Sequence, residues 1–330
     1  MAKPIKEKTN DTSTYAEFSA KPEAFLVHDP VVVGAFEVMG GIDDPKKLEE
    51  HILFRSHPNV DLYAQQHRAF VELLRRNVNK VFYLSELVGS HESFDATRKN
   101  PNQVFTRDSL ITIPWVPDGY IKARMAKPLR RPESETMEAA VKALGLTEII
   151  RIPENLFLEG GDVVPFSRHG KRTLLVGYGP RTKLETLYYL QEELIPERID
   201  EIIGIELAGW RLNLDGGFLP IAEDVVVSDT SSIVGGMLFD AHGEREFDIF
   251  GMIKDLGMRI INVTRDESIY CQACNCICLG ERKIIYYDLS QRAYDILLRQ
   301  DIEVYLTPGS ELVKGRGGPR CMTRPIYSKL

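Results

Sequence analysis

The sequence has no run of about 18 uninterrupted apolar residues, which a membrane-spanning helix requires, and it has only 5 cysteines in 330 residues. These two features argue against a membrane protein and against a disulfide-stapled secreted protein, and they favour a reduced, cytoplasmic protein. Residues 1–8 also lack the apolar core of a signal peptide.

An excess of positive charge is missing as well. The chain has 41 Lys and Arg against 48 Asp and Glu, which gives a formal net charge of −7. Nucleic-acid phosphates need a basic face, so we predict neither a nucleic-acid nor a membrane partner. The apolar and charged fractions, 43% and 27%, are those of an ordinary globular protein.

The organisation along the chain is simple. Residues 1–20 are polar and predict a flexible N-terminal arm. No linker rich in Ser, Gly or Pro follows, so residues 21–330 are predicted to form a single domain.

Five copies of a helix followed by a strand are predicted from alternating 3.6- and 2-residue periodicities. Ser290 is a plausible helix N-cap, Thr182 and Glu185 fit a capping box, and Gly145 and Gly257 fit left-handed helix ends. The copies are Asp61–Leu84, Glu135–Ile152, Thr182–Ile205, Glu244–Val263 and Ser290–Leu306.

These α/β units have two interpretations. A generic doubly wound sheet is one, but no glycine-rich dinucleotide fingerprint follows a first strand. Five units of similar length also fit radial repetition around an axis. Periodicity alone leaves both open.

A polar segment follows each of the five units, and these segments contain the side chains that could take part in catalysis or binding. Three of them supply carboxylates, and the last supplies a thiol near two arginines. Each acid alone has a structural explanation as a turn or cap residue, but acids converging on one nucleophile suit a planar, cationic, electrophilic carbon. The segments are 101–108, 158–162, 210–218, 271–280 and 314–322.

Two local patterns refine this prediction. Asn213 and Asp215 are two residues apart on a predicted strand and should face the same way. Cys321 follows a glycine-rich run, and Arg316 and Arg320 could favour its thiolate form.

The cysteines Cys271, Cys274, Cys276 and Cys278 are too closely spaced for the two separated pairs of a structural zinc site. Alternation of the last three favours packing on one face of a buried strand. No metal and no organic cofactor is predicted, and none of the 7 histidines stands in a recognisable motif.

The five segments, and Gly315–Met322 most specifically, resemble those of guanidino-modifying enzymes: arginine deiminases, dimethylarginine hydrolases and amidinotransferases. The resemblance runs from about Pro58 to Pro325 and implies the pentein fold, an α/β propeller of five ββαβ-like blades with the site on its axis. It implies a small-molecule substrate, a cysteine that attacks the guanidinium carbon, and a homodimer as one expected assembly. Matched to the family motifs, the implied residues are the nucleophile Cys321, the active-site glutamate Glu159, the guanidinium-binding Asp108 and Asp215, the first-motif Asn102, Asp162, and the carboxylate clamps Arg181 and Arg130.

One position departs from the family pattern, which has His-Leu-Asp where this sequence has Asn213, Leu214 and Asp215. The family histidine moves protons, and such general acid–base help is typically worth about 10²–10⁴-fold in rate. Asparagine cannot titrate. Either another group, such as Glu159 or a histidine from elsewhere in the chain, takes over the proton transfers, or the leaving group needs little protonation, or the adduct does not turn over.

The leading hypothesis is a cysteine-dependent hydrolase of a C–N bond in a guanidino, ureido or amidino compound such as arginine. It reacts through a thiouronium-type intermediate, and Asn213 could support the removal of two amines in succession. The alternatives are an amidinotransferase that passes the amidino group to an amine, and a non-catalytic binding protein of the same fold.

Overall fold

The computed structural model describes residues 15–330. Each of the five predicted helical segments overlaps a helix of the structure. Along the chain, these helices alternate with the strands of the sheets. The helices are α1 (Pro45–His51), α2 (Val60–Asn77), α3 (Leu84–Val88), α4 (Arg131–Ala143), α5 (Leu184–Leu194), α6 (Ile249–Asp255), α7 (Arg265–Tyr270) and α8 (Gln291–Leu298).

The strands form five separate sheets. They are β1 (Ala24–Val27), β2 (Lys80–Tyr83), β3 (Leu110–Ile113), β4 (Val116–Lys122), β5 (Thr147–Arg151), β6 (Val163–Arg168), β7 (Lys171–Tyr178), β8 (Glu201–Leu207), β9 (Phe218–Ala222), β10 (Val225–Ser228), β11 (Ile233–Asp240), β12 (Gly243–Glu246), β13 (Arg259–Asn262), β14 (Ile277–Cys278), β15 (Lys283–Tyr287), β16 (Glu303–Thr307) and β17 (Arg324–Ile326).

Every sheet repeats one arrangement. A first strand pairs antiparallel with a second, a helix follows, and a third strand pairs parallel with the second. The sheets have the orders β3-β4-β5, β6-β7-β8, β9-β10-β13, β14-β15-β16 and β17-β1-β2, with β11 and β12 added beside β8. The mixed α/β fold built from five helix–strand units therefore agrees with the sequence prediction.

Local signals in the sequence have mixed outcomes. Ser290 caps α8 through a 3.2 Å bond from the Ala293 nitrogen, and Gly145 and Gly257 are left-handed with φ of 85° and 68°. The capping box at Thr182 is wrong, because α5 begins at Leu184 without a side-chain cap. The Thr182 hydroxyl instead donates to the Asp162 carboxylate and accepts from the Glu159 backbone nitrogen.

The helix predicted from Glu244 is wrong at its start, because 243–246 pair as β12 with β11. Alternation in this short polar segment is as compatible with a hairpin as with a first helical turn. The helix itself begins after Asp248, whose carboxylate accepts a 2.9 Å bond from the Gly251 nitrogen.

The predicted N-terminal arm, 1–20, lies partly outside the described residues, which begin at 15. The described part, 15–20, is packed rather than loose. Glu17 is 9% exposed and binds the buried Arg320 with oxygen–nitrogen distances of 3.0 and 2.8 Å. The sequence could not reveal this contact, because its partner lies 303 residues away.

The hydrophobic core occupies the space between each sheet and its helices. Cys274, Cys276 and Cys278 belong to one large buried cluster there, although only Cys278 lies in a strand. Within residues 15–330 no group of His, Cys, Asp and Glu side chains is arranged to hold a metal ion. No helix in this range is long and apolar enough to cross a membrane.

Candidate functional site

One cavity collects polar side chains from across the chain. Of the predicted site residues, seven line it: Asn102, Asp108, Arg130, Arg181, Asn213, Asp215 and Cys321. Each chemical segment ends at the first strand of a sheet: 101–108 precedes β3, 158–162 precedes β6, 210–217 precedes β9, 271–276 precedes β14, and 314–322 precedes β17. The same position in all five repeats therefore supplies the site.

Cys321 lies on the cavity wall and is 8% exposed. Its sulfur is 3.0 Å from the amide nitrogen of Asn275 and 3.6 Å from a carboxylate oxygen of Asp215. Burial, followed by the carboxylates of Asp215 and Asp108, raises the pKa of the thiol well above its usual value. This environment favours the neutral thiol over the thiolate.

The predicted effect of the two nearby arginines on this thiol is only partly present. Arg320 does oppose the rise in the thiol pKa, but its guanidinium is bound to Glu17 and lies 2.8 Å from Asp215. Arg316, which also lines the cavity, pairs with Glu49. Arg320 thus favours the thiolate as the sequence predicts, but burial and the carboxylates of Asp215 and Asp108 outweigh its effect on the pKa of Cys321.

Asp108 is almost fully buried, and one of its oxygens binds Arg130 at 2.8 Å. Its other oxygen, Oδ1, is buried and has no hydrogen-bond partner among residues 15–330. Burial, opposed by Arg130 and reinforced by Asp215 and Glu159, raises the pKa of Asp108 to about 6. An unpaired acceptor of this kind is costly unless a ligand donates to it.

Arg130 was predicted to hold a substrate carboxylate, but its guanidinium already has carboxylate partners. Besides Asp108 it binds both oxygens of Glu133, at 2.9 and 2.7 Å. Arg181 is less fully engaged and makes one 3.3 Å contact with Glu159.

Glu159 and Asp162 do not line the cavity but support its wall through Asn213. The Asn213 amide nitrogen donates to Glu159 at 3.2 Å and to Asp162 at 3.1 Å. The Thr182 hydroxyl donates to Asp162 at 2.7 Å and accepts from the Glu159 nitrogen at 3.1 Å. Burial, followed by the charge of Glu159, raises the pKa of Asp162 well above its usual value. The result is a buried, hydrogen-bonded chain of polar groups next to the cavity.

Asn102 lines the cavity, yet its amide nitrogen is bound within the protein. It donates to the Ile52 carbonyl at 2.9 Å and to Asn100 at 3.2 Å. This arrangement ties the segment before β3 to the segment that carries Leu53 and Arg55.

Two site residues were not predicted as such. Asn275 lies in the fourth segment between Cys274 and Cys276, and no motif there marks it as a site residue. Arg55 lies outside all five segments, and no local pattern marks it. Both reach the site only through the packing of distant parts of the chain.

A sequence model of a protein family described as arginine deiminase matches residues 89–328. Among curated proteins, the arginine deiminase of Listeria welshimeri is 28% identical over 263 residues, covering 68% of this chain and 61% of that protein. The arginine deiminase of Lactococcus lactis is 26% identical and covers 74% of this chain and 66% of its own length. The chain thus spans about 61% of the length of the first of these relatives.

Solved structures share the fold. The N-terminal domain of ArgZ, an arginine dihydrolase of the cyanobacterial ornithine-ammonia cycle, was solved with substrate as a cysteine-to-serine variant. It has a TM-score of 0.67 at 19% identity, covering 92% of this chain and 98% of that one. A dimethylarginine dimethylaminohydrolase adduct has a TM-score of 0.64 at 18% identity, covering 92% and 99%. At these identities the likeness concerns the fold alone.

Proposed function

Because the chain belongs to the arginine deiminase family, we propose that it is a cysteine-dependent hydrolase of a C–N bond in a guanidino compound such as arginine. The observation that carries the proposal is the cavity wall itself, where the Cys321 sulfur lies 3.6 Å from Asp215 and the buried Oδ1 of Asp108 lacks a donor. A planar guanidinium donates to this unpaired oxygen and brings a positive charge next to the two carboxylates. We also propose that the five sheets are the blades of a propeller with this cavity on its axis.

Substrate binding and thiol activation are coupled in this proposal. Burial and the carboxylates of Asp215 and Asp108 raise the pKa of the Cys321 thiol, and a guanidinium cation placed between the carboxylates opposes the effect of their charge. The thiolate therefore forms next to the carbon that it attacks. Asn275 donates to the sulfur and stabilises the negative charge before attack.

The chemical steps balance without any further reactant but water. The sulfur adds to the guanidinium carbon, the thiol proton goes to the departing amine, and ammonia leaves a thiouronium cation on Cys321. Water then adds to the same carbon, the C–S bond breaks, and a ureido product and a regenerated thiol result. Glu159 and Asp162, joined by Asn213, are the groups proposed to exchange protons with this water.

Asn213 favours a refinement in which two amines are released. It stands where the family has a titrating histidine, and it bridges two carboxylates rather than acting as an acid. A ureido product retained beside it is open to a second attack by Cys321, which releases another ammonia and leaves a thiocarbamate on the sulfur. Water cleaves its C–S bond and gives the regenerated thiol and a carbamic acid, which loses carbon dioxide to give the free amine. The similarity in fold to ArgZ, described as an arginine dihydrolase, is compatible with this course.

The proposal is tested by incubating the protein with guanidines, ureas and amidines and measuring intact mass and ammonia. We expect a covalent adduct on Cys321, ammonia release from a guanidine in water, and the loss of both in Cys321→Ser. Ammonia release that requires an added amine acceptor would instead identify an amidinotransferase. Ligand binding without adduct or ammonia would identify a binding protein. Cytoplasmic location and homodimer formation stay predictions.

A further inference from the structure

Three arginine side chains lie buried close to one another. Arg107, Arg320 and Arg324 are each at most 2% exposed. The Arg107 Nε donates to the Arg320 carbonyl at 3.2 Å, and the Arg324 guanidinium donates to the Arg107 carbonyl. An arginine keeps its proton in a protein, so deprotonation does not relieve the cost of burying these charges. The three side chains therefore need negative counter-charges.

Only two carboxylates among residues 15–330 pair with these arginines. Glu17 binds Arg320 at 3.0 and 2.8 Å and lies 3.2 Å from Nη1 of Arg107. Asp215 binds Arg320 at 2.8 Å. Arg324 has no carboxylate within ion-pair distance in this range, and its two Nη atoms donate to a hydroxyl at 3.5 Å and to a carbonyl. Three buried cations thus share two carboxylates.

The same three arginines include two donors without a hydrogen-bond partner among residues 15–330, Nη1 of Arg107 and Nε of Arg324. Glu17 approaches the first of them, but not in the geometry of a hydrogen bond. Burial, reinforced by the charges of Arg107 and Arg320, lowers the pKa of Arg324 well below its usual value. The group therefore lacks both acceptors and negative charge, and an anion supplies both.

A small cavity beside Arg107 has room for about one water-sized species. None of its lining residues lines the candidate active-site cavity, so the two cavities are separate. Glu17 and Tyr327 also line it. The Glu17 oxygens already accept from Arg320, and burial raises the pKa of Tyr327 above its usual value, which keeps the phenol neutral. The wall therefore presents a cation without the anion that balances it.

We propose that this cavity binds one monovalent anion of the chloride type, which accepts from Arg107 and balances the surplus charge of the three arginines. Its single charge equals the surplus, and the size of the cavity suits a monatomic ion. Other parts of the wall, such as Phe25 and Pro325, are apolar, which does not suit a phosphate or carboxylate with several acceptor oxygens. Water satisfies a donor but leaves the charge unbalanced. The site is apart from the proposed reaction and does not depend on it.

The test titrates the thermal unfolding midpoint of the full chain with sodium chloride, which replaces sodium gluconate so that the ionic strength stays constant. We expect a saturable rise in the midpoint, because an anion that binds only the folded protein stabilises it. Arg324→Gln removes the surplus cation and should raise the half-saturating chloride concentration about 10-fold or more. Glu17→Gln removes a counter-charge and should lower that concentration by a similar factor, because one buried unit charge changes the energy of a nearby anion by at least that much.

The matched control is Arg76→Gln, at an exposed position on α2, which should leave the half-saturating concentration as it is in the parent protein. Crystals of the parent protein grown with sodium bromide give a second measurement that needs no variant, and an anomalous scattering peak is expected next to Arg107. The absence of this peak overturns the inference, as does a chloride response that is the same in the parent protein, Arg324→Gln and Glu17→Gln. Neither measurement uses the reaction, so the proposed hydrolase is tested separately.

Discussion

The side chain of Asn275 contacts Cys321 at two atoms: its amide nitrogen lies 3.0 Å from the sulfur, and its amide oxygen accepts from the Cys321 backbone nitrogen at 3.1 Å. The amide therefore fixes both the position of the residue and the environment of its sulfur. Gly318 permits this approach, since a Cβ there would lie 2.6 Å from the Asn275 oxygen.

Replacing Asn275 with leucine should slow the chemical step. The thiolate loses its donor, so we expect kcat to fall about 10²–10³-fold, the usual cost of removing one donor from a developing anion. The pH at which iodoacetamide alkylates Cys321 should also shift upward, because the charged form of the sulfur is no longer stabilised.

The alkylation profile separates this role from a merely structural one. Asn79→Leu, at an exposed position, serves as the control and should leave both kcat and the profile as they are. A slower Asn275→Leu enzyme with an unshifted alkylation profile would contradict the proposed contact with the thiolate.

Replacing Thr182 with valine should disturb the supporting carboxylates. The shape is kept, but Asp162 loses a 2.7 Å donor and the Glu159 nitrogen loses its acceptor. Leaving such buried groups unpaired costs about 1–3 kcal/mol, so the thermal midpoint and kcat should both fall. Thr147→Val, on the exposed side of β5, is the comparison, and equal behaviour of the two variants would show that the buried hydroxyl is unimportant.

Replacing Asn213 with histidine should change the outcome of the reaction. A titrating group would stand beside Glu159 and Asp162, where it can protonate the leaving amine and activate water. We expect a shorter-lived Cys321 adduct and a shift toward one ammonia per guanidine, even if total activity is low. Product and ammonia stoichiometry measure this, with Asn79→His as the control. Identical products and adduct lifetimes would remove Asn213 from the chemical centre.

Replacing Glu17 with glutamine should destabilise the protein at neutral pH. Arg107 and Arg320 would be left buried without this anion, and breaking a buried ion pair usually costs about 3–5 kcal/mol. Chemical denaturation measures the change, and Glu50→Gln on the exposed face of α1 should have little effect.

The pH dependence of this contribution has a definite sign. Despite the opposing effect of burial, Arg107 and Arg320 hold the pKa of Glu17 at about 2, below the usual 4.5. The stabilisation is therefore complete above pH 4.5 and is lost as the pH falls from there toward 2. The stability difference between the parent protein and Glu17→Gln should shrink over that range; a constant difference would show that the ion pair is not its source.

The sequence was informative wherever chemistry and local spacing coincide. Residues such as Asp108, Asp215 and Cys321 stand in short motifs at the ends of predicted units, and one cavity brings them together. The sequence does not show which side chains pair with one another. From the sequence, Arg130 and Glu133 could equally form an exposed ion pair on a helix. Only the structure shows that the pair is buried, so that Glu133 neutralises the Arg130 guanidinium.

Contacts between distant segments could not be predicted at all. Asn275 meets Cys321 across 46 residues, and Arg55 meets Val313 across 258. No periodicity links such positions, because their proximity results from how the five sheets are arranged. For the same reason the sequence predicts a flexible arm at residues 1–20, although Glu17 packs against the domain and binds Arg320.

The first and last strands of the described residues belong to one sheet, in which β17 begins three residues after Cys321 and pairs with β1. Pairing between the two ends of the described chain therefore holds the segment that carries Cys321 in place. Arg324 in β17 also donates to the Arg107 carbonyl, which lies before β3. Clipping the final seven residues would remove this pairing and loosen the reactive loop even though every residue of the cavity wall was still present. The proposed chemistry of Cys321 therefore depends on pairing between the two ends of residues 15–330.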